Sequence, residues 1–182
     1  VDASEGGLTV TTPTPSIPGA PTTTIYLASS WRNPYHSVVL AELRKRRCEV
    51  YDFKTDGHAM AWKDLDPELA TDLTADRLQR VLQLPGSDRA FAADMNAMKW
   101  ADACVLLLPC GLSAHLEAGW FAGKGKPVAV LAPELREPEL MYKMFERNAV
   151  FRDGAVTPIF GLIDQVADYL SSAHLRNRTW DP

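Results

Sequence analysis

Two carboxylates are the side chains in this sequence best suited to covalent chemistry. Glu117 lies in the run Pro109-Cys110-Gly111-Leu112-Ser113-Ala114-His115-Leu116-Glu117-Ala118-Gly119-Trp120. With Ser113 as a helix cap, Glu117 falls in the first turn, where the helix dipole favours the ionised form that a carboxylate nucleophile needs. The same position suits a glutamate that only complements the dipole, so spacing alone leaves both readings open. On that helix Leu116, Gly119, Trp120 and Gly123 share one face, and the glycines would let the backbone approach a sheet closely. Asp94 belongs to a series Phe91, Asp94, Met95, Met98, Ala101 with i, i+3, i+4, i+7 spacing. A carboxylate on or beside an apolar stripe is costly unless it faces a cleft or has a partner, and partial burial would suit it to general acid work. One carboxylate to attack an anomeric carbon and a second group to deliver a proton is the combination that retaining glycosyl transfer uses, with ~5–5.5 Å between carboxyls in O-glycosidases. Asp102 reads as structural, ending the helix and leading into a strand. His115 is a weaker candidate base, because a lone histidine near a helix start is more often a surface or satisfied residue.

A second group of residues suits an anion. Ser29-Ser30-Trp31-Arg32-Asn33-Pro34 puts two hydroxyls, an indole and a guanidinium at a helix entry, where unpaired N–H groups and Arg32 can meet a phosphate or carboxylate. The plainer alternative is that Ser30 or Asn33 caps a helix whose first residue is Pro34. The glycine patterns of dinucleotide and NTP cradles are absent from this loop. Trp31, Trp62 and Trp120 are the aromatics that could stack on a planar ligand; Trp120 reads as core, and Trp62, in a polar stretch, as part of a lid.

The elements that must position these groups alternate strand and helix. A strand ends at Ala28, a helix spans about 34–47, and a second strand covers Cys48–Phe53. Residues 54–87 are charged and polar and read as an insertion with one helix near 74–83. Then follow a helix over about Asp88–Ala101, a strand Ala103–Pro109, a helix Ser113–Gly123, a strand Pro127–Leu131, a helical stretch 138–146, a short strand Ala149–Phe151 and a closing helix Pro158–Ser172. Five continuously apolar strands with intervening helices predict a doubly wound five-stranded parallel sheet with an insertion after the second strand, binding its ligand beyond the carboxyl ends of the strands. Residues 1–23, rich in Thr, Pro, Ser and Gly, read as a disordered leader or linker, 24–175 as the folded domain, and 176–182 as a tail.

Composition narrows the partners. The chain has 182 residues, 46% of them hydrophobic, and a net charge of −4, so one core is expected and a nucleic acid polymer is not. Cys48, Cys104 and Cys110 lack metal-ligand spacing and read as free thiols, and His36, His58, His115 and His174 are scattered, so no metal or other cofactor is expected. Without a run of ~18 apolar residues or a secretory-type start, a membrane partner is not expected and the cytoplasm is the expected location.

Ile25-Tyr26-Leu27-Ala28-Ser29-Ser30-Trp31-Arg32, then Asp94 with Ala101-Asp102 before an apolar strand, then Ser113-Ala114-His115-Leu116-Glu117-Ala118-Gly119-Trp120 together resemble the nucleoside 2-deoxyribosyltransferase superfamily. The resemblance runs from about residue 24 to 131. It implies a flavodoxin-like sheet, Glu117 of Glu117-Ala118-Gly119 as nucleophile, Asp94 assisting at the sugar or base, and a tyrosine near the first strand, matched by Tyr26 unless strand alternation turns it into the core. It also implies a small-molecule nucleoside or nucleotide as substrate, and a homodimer or larger homo-oligomer. The transferases carry another carboxylate about six residues before the nucleophile, where this chain has Gly111. Related nucleotide N-hydrolases hold a 5′-phosphate through Ser-x-Arg, which Ser30-Trp31-Arg32 matches, with Ser113 able to add a hydroxyl. The expectation is therefore hydrolysis of a nucleoside 5′-monophosphate, with base exchange as runner-up; a non-catalytic nucleotide sensor and an NAD-cleaving glycosidase are the other classes weighed.

Overall fold

A computed structural model describes residues 23–56, 62–69, 71–133, 139–145 and 159–174, with side chains of the last segment described for 163–170. In chain order the elements are β1 (Thr24–Ala28), α1 (His36–Lys45), β2 (Glu49–Tyr51), α2 (Trp62–Leu65), α3 (Ala75–Leu82), α4 (Pro85–Trp100), β3 (Ala103–Leu107), α5 (Leu112–Gly123), β4 (Val128–Leu131), a 3-10 turn (Leu140–Phe145) and α6 (Ile159–His174). The four strands are parallel in the order β2-β1-β3-β4, compatible with a flavodoxin-like fold. The expected leader apart from Thr23, the fifth strand at 149–151 and the tail lie outside the described residues.

Strand alternation sorts the core into two layers. Ile25, Leu27, Val105, Leu107, Ala129 and Leu131 project to one face, where Val39 and Leu43 of α1 and Ile163, Val166 and Leu170 of α6 cover them. Tyr26, Ala28, Cys104, Leu106, Val128 and Val130 project to the other, under Met98 of α4 and Ala118 and Phe121 of α5. Both faces are buried, which is why each strand reads as a near-continuous apolar run. The strand order reverses at β1, so the loops after β1 and β3 flank the topological switch point.

Two polar clamps fix this frame. The backbone N–H and hydroxyl of Thr24 donate to Asp102 Oδ2 at 3.1 and 2.7 Å, and the Asp102 N–H donates back to Thr24 Oγ1 at 2.9 Å. Asp102 therefore joins the start of β3 to the start of β1, the structural role its position suggested. Lys126 caps the C-terminus of α4, its ammonium donating to the carbonyls of Met98, Lys99 and Ala101. Gly125, at φ 67°, supplies the left-handed residue that ends α5 before that lysine.

Helix boundaries differ from the sequence expectation in ways that matter for the site. The residue that opens α5 is Gly111, not Ser113, which puts Glu117 in the second turn. The inward face of α5 is Ala114, Ala118 and Phe121, while Leu116 is exposed, and a methyl group at Gly119 or Gly123 would meet open space. The close helix–sheet approach is thus made by alanines, not by those glycines. Helix α4 starts at Pro85, and its first turns pack on α3, with the Ser87 hydroxyl donating to the Val81 carbonyl at 2.6 Å. Phe91 is consequently exposed, and the apolar stripe begins only near Asp94. Helix α1 begins at His36, after Tyr35, rather than at Pro34, and neither Ser30 nor Asn33 is its cap. Thr74 caps α3 by accepting from the Arg77 N–H, in keeping with the helix expected near 74–83.

Replacing Asp102 with alanine leaves the Thr24 N–H and hydroxyl without their shared acceptor. Equilibrium urea unfolding at pH 7 should then show a loss of about 1–3 kcal/mol, and an unchanged unfolding curve would mean that the clamp contributes nothing.

Candidate active site

The site is built from two tyrosines on adjacent strands. Tyr26 on β1 and Tyr51 at the end of β2 are register partners, and their rings stack at 5.4 Å and 20°. Tyr26 is 1% exposed, and its hydroxyl is the polar group that favours the ionised form of the Glu117 carboxylate on α5. The Tyr51 hydroxyl donates to Asp94 Oδ1 at 3.1 Å, on α4. Each phenol thus bears on one carboxylate, and the two carboxylates, on α4 and α5, lie near enough for the charge of Asp94 to be felt at Glu117. Tyr26 points into the core, yet this is also what brings it to Glu117, because the core on this face includes the carboxylates.

Burial raises the pKa of Glu117 to about 7, the negative charge of Asp94 adds to the rise, and the Tyr26 bond opposes it. Asp94 is also raised by burial, with the Tyr51 bond opposing. Two carboxylates sharing a partly desolvated space do not readily ionise together, so the pair retains a proton to near neutrality. This differs from the ionised first-turn glutamate expected from sequence: in the second turn the dipole is weaker, and burial dominates. A pair of perturbed carboxyls facing one another is common at catalytic sites.

The switch point lies alongside. Ser30, Arg32, Pro34, Tyr35, Pro109, Cys110 and Gly111 line one cavity of about 370 Å³. Its loop is tightly folded: Ser30 accepts from the Arg32 N–H through its hydroxyl at 3.2 Å and from the Asn33 N–H through its carbonyl at 3.0 Å. Asn33, buried, bridges the two loops by donating to the Leu107 and Pro109 carbonyls at 3.2 and 3.0 Å, and accepts from the Tyr35 N–H at 2.8 Å. Gly111 stands at the mouth of α5, so the first N–H groups of that helix open beside the cavity.

The remaining candidates are dispersed. His115 lies with its Nδ1 3.0 Å from the Gly111 carbonyl and its Nε2 2.9 Å from the Tyr142 hydroxyl, joining α5 to the 3-10 turn beside a second cavity of about 440 Å³. Cys110 and Gly111 line both cavities. Trp31 is 52% exposed and rests edge-on against Phe53 at 5.2 Å. Ser113 and Trp62 are exposed on α5 and α2, and Trp120 packs edge-on against Phe121 at 5.3 Å. Sequence reasoning missed Tyr51, His36 and Asp52, and it read Ser29 as an anion-binding hydroxyl and Asn33 as a helix cap where the structure has them bonded to His36 and to the β3 end. Tyr51 could have been found by sliding β2 against β1, since two tyrosines then fall opposite one another.

No family model and no curated protein matches the sequence. Among solved structures, a conserved protein from Enterococcus faecalis V583 overlays with a TM-score of 0.54 at 16% identity, covering 81% of this chain and 99% of that one. The 2-deoxyribosyltransferase from Bacillus psychrosaccharolyticus overlays with a TM-score of 0.44 at 21% identity, covering 72% of this chain and 87% of that one. The first of these likenesses establishes a shared α/β fold.

Two measurements probe the electrostatics. Tyr51→Phe removes the bond that holds down the Asp94 pKa, so the carboxyl signal of Asp94 in carbon-detected NMR should titrate at higher pH; an unmoved midpoint would contradict the pairing. Glu117 is raised in the folded protein, so the native state binds more protons than the unfolded chain between about 4.5 and about 7, and stability declines as pH rises through that window. Glu117→Gln should flatten the decline, gaining on the order of 3 kcal/mol at most above pH 7. Parallel pH–stability curves for the two proteins would refute the raised ionisation.

Proposed function

We propose that the chain is an N-glycosidase that cleaves the base–sugar bond of a nucleoside 5′-monophosphate through a glycosyl intermediate on Glu117. The observation that carries this reading is the convergence of Glu117 and Asp94 above the stacked Tyr26–Tyr51 pair. The reactive form is the minor arrangement of the singly protonated pair, in which the proton has moved from Glu117 to Asp94 and Glu117 is ionised. A Glu117 oxygen attacks the anomeric carbon, the carbon–nitrogen bond breaks with its electron pair leaving on the base, and the Asp94 proton passes to that base. Water then attacks the same carbon, the bond to Glu117 breaks, and the water's proton returns to Asp94. The hydrogen bond from Tyr26 favours the charged form of Glu117 and orients it.

The cavity at the switch point suits the 5′-phosphate. Arg32 supplies a guanidinium, Ser30 a hydroxyl, and Gly111 the approach to the α5 N-terminus, where Ser113 follows. Trp31 at the rim of the same loop is the aromatic best placed to stack on a base, ahead of Trp62. His115 bears on the second cavity and takes no part in proton transfer.

Incubation of the protein with nucleosides, their 5′-monophosphates and NAD, followed by chromatography of free base, tests the proposal. Release is expected from at least one 5′-monophosphate, with Glu117→Ala abolishing it and Asp94→Asn lowering it about 10²–10⁴-fold. No release from any substrate would overturn the glycosidase reading, and unchanged release by Glu117→Ala would overturn the nucleophile. A new nucleoside formed when a second base is added would replace hydrolysis by base exchange. Since the carboxylate pair keeps its last proton to about pH 7, kcat/KM should fall above that pH, by about tenfold per pH unit. A rate that stays level from pH 7 to 9 would exclude Asp94 as the acid.

A further inference from the structure

A second polar chain lies on the opposite side of the strand ends. His36, in the first turn of α1, is 1% exposed, with Nδ1 2.6 Å from the Ser29 hydroxyl and Nε2 2.9 Å from Asp52 Oδ1. Ser29 directly follows β1, and Asp52 directly follows Tyr51 of β2. Three side chains therefore join the loop that lines the anion cavity to the strand whose last residue holds Asp94.

Protonation states within this chain follow from the contacts. Asp52 is buried, but the Lys54 N–H at 3.0 Å and His36 more than offset that burial, so its carboxyl sits below the ordinary value and is ionised at neutral pH. Burial lowers the pKa of His36, the Asp52 bond only partly opposing it, so the ring is neutral. An ionised carboxylate can only accept, which places the imidazole proton on Nε2. Nδ1 must then accept from the Ser29 hydroxyl, which fixes the rotamer of the first loop residue.

Other contacts run between the same two loops. The Phe53 ring meets His36 and Trp31 edge-on, each at 5.2 Å, and the Lys54 ammonium donates to the Trp31 carbonyl at 3.1 Å. On its other side the loop is fixed to β3 by Asn33. The segment from Ser29 to Asn33 is thus suspended between β2 and β3, and His36 is the buried polar link on the β2 side. A hydrophobic residue would fill the same volume; a polar chain satisfied at both ends fixes direction as well.

We propose that His36 is a positioning residue: by bridging Ser29 and Asp52 it holds the 29–33 loop in the shape that receives the substrate's 5′-anion and ties that loop to Tyr51 and Asp94. This rests on the anion-site reading of the Ser30–Arg32 cavity. Loss of the bridge releases the loop at its start, so the penalty falls on ligands that carry the anion and spares those that lack it.

Calorimetric titration with a nucleoside 5′-monophosphate and with the corresponding nucleoside tests this without requiring turnover. The wild-type chain should bind the monophosphate more tightly, and Ser29→Ala and His36→Ala should weaken it by about tenfold or more while changing nucleoside affinity less than about twofold. Ser29→Thr, which keeps the hydroxyl, should restore the affinity. Should His36→Ala fail to fold, Ser29→Ala carries the comparison, since it removes one exchangeable contact and little volume. Nitrogen-detected NMR of His36 should display the neutral ring protonated at Nε2. Equal weakening of both ligands, unchanged affinity in both variants, or equal wild-type affinity for nucleoside and monophosphate would each overturn the proposal. Preference for the monophosphate without base release would instead sink the glycosidase reading and leave the positioning role standing.

Discussion

The parallel register of β1 against β2 is the constraint on which the rest of the site depends. Because Ile25 faces Val50 and Tyr26 faces Tyr51, strand alternation delivers two phenols to the same face at neighbouring positions. A slip of one residue would turn Tyr51 away and present Val50 instead, leaving Asp94 without its donor. The register is held at the strand start by the Glu49 N–H donating to the Thr23 carbonyl at 3.0 Å, while the Thr24–Asp102 clamp fixes β1 against β3 on its other side.

The two faces of the sheet do different work. The face under α1 and α6 is largely aliphatic, built mostly from valine, leucine, isoleucine and alanine, and its buried polar network of His36, Ser29 and Asp52 is satisfied at both ends. The face under α4 and α5 must accommodate Tyr26, Glu117 and Asp94 as well as its hydrocarbon. Bringing two carboxyls together out of water costs stability, and the phenolic hydrogen bonds return only part of it. The aliphatic packing of the opposite face helps to offset that cost. Local destabilisation concentrated where chemistry is possible is a common feature of functional sites.

The strand–helix alternation and the parallel sheet were legible because buried strands such as Val105-Leu106-Leu107-Leu108 leave an unbroken apolar signal. Glu117, Asp94 and Tyr26 were found together, as were Ser30, Arg32 and Gly111, although nothing in one-dimensional spacing revealed that the first set meets between α4 and α5. The helix starts were less readable. Ser113 has the chemistry of a cap, yet the chain turns at Gly111 and places the serine on solvent; Pro34 suits a first helical position, yet the Asn33–Tyr35 turn delays α1 to His36. Both shifts arise from contacts between distant segments, notably Asn33 reaching the β3 end across 74 residues of sequence. Tyr51 and His36 escaped for a related reason: their partners, Asp94 and Asp52 with Ser29, are set by strand order and helix placement rather than by local pattern.

The edge strand explains why so many polar contacts gather around residues 50–56. Within the described sheet β2 is only three residues long and pairs on one side, so its own ladder is a weak anchor for the residue that holds Asp94. The neighbouring helix compensates. Arg44 of α1 donates to the Val50 carbonyl at 2.9 Å and lies 3.5 Å from Asp56, which in turn accepts from the Asp52 N–H at 2.9 Å, while Asp52 takes the His36 ring. The exposed Arg44–Asp56 ion pair contributes little energy on its own, but the carbonyl bond satisfies an edge group that would otherwise be open to another strand. Tyr51 is therefore held from both flanks, by Arg44 at Val50 and by His36 at Asp52. A buried carboxyl partnered through an edge strand needs this second set of restraints, and α1, though remote from Asp94 in sequence, is the element that supplies them.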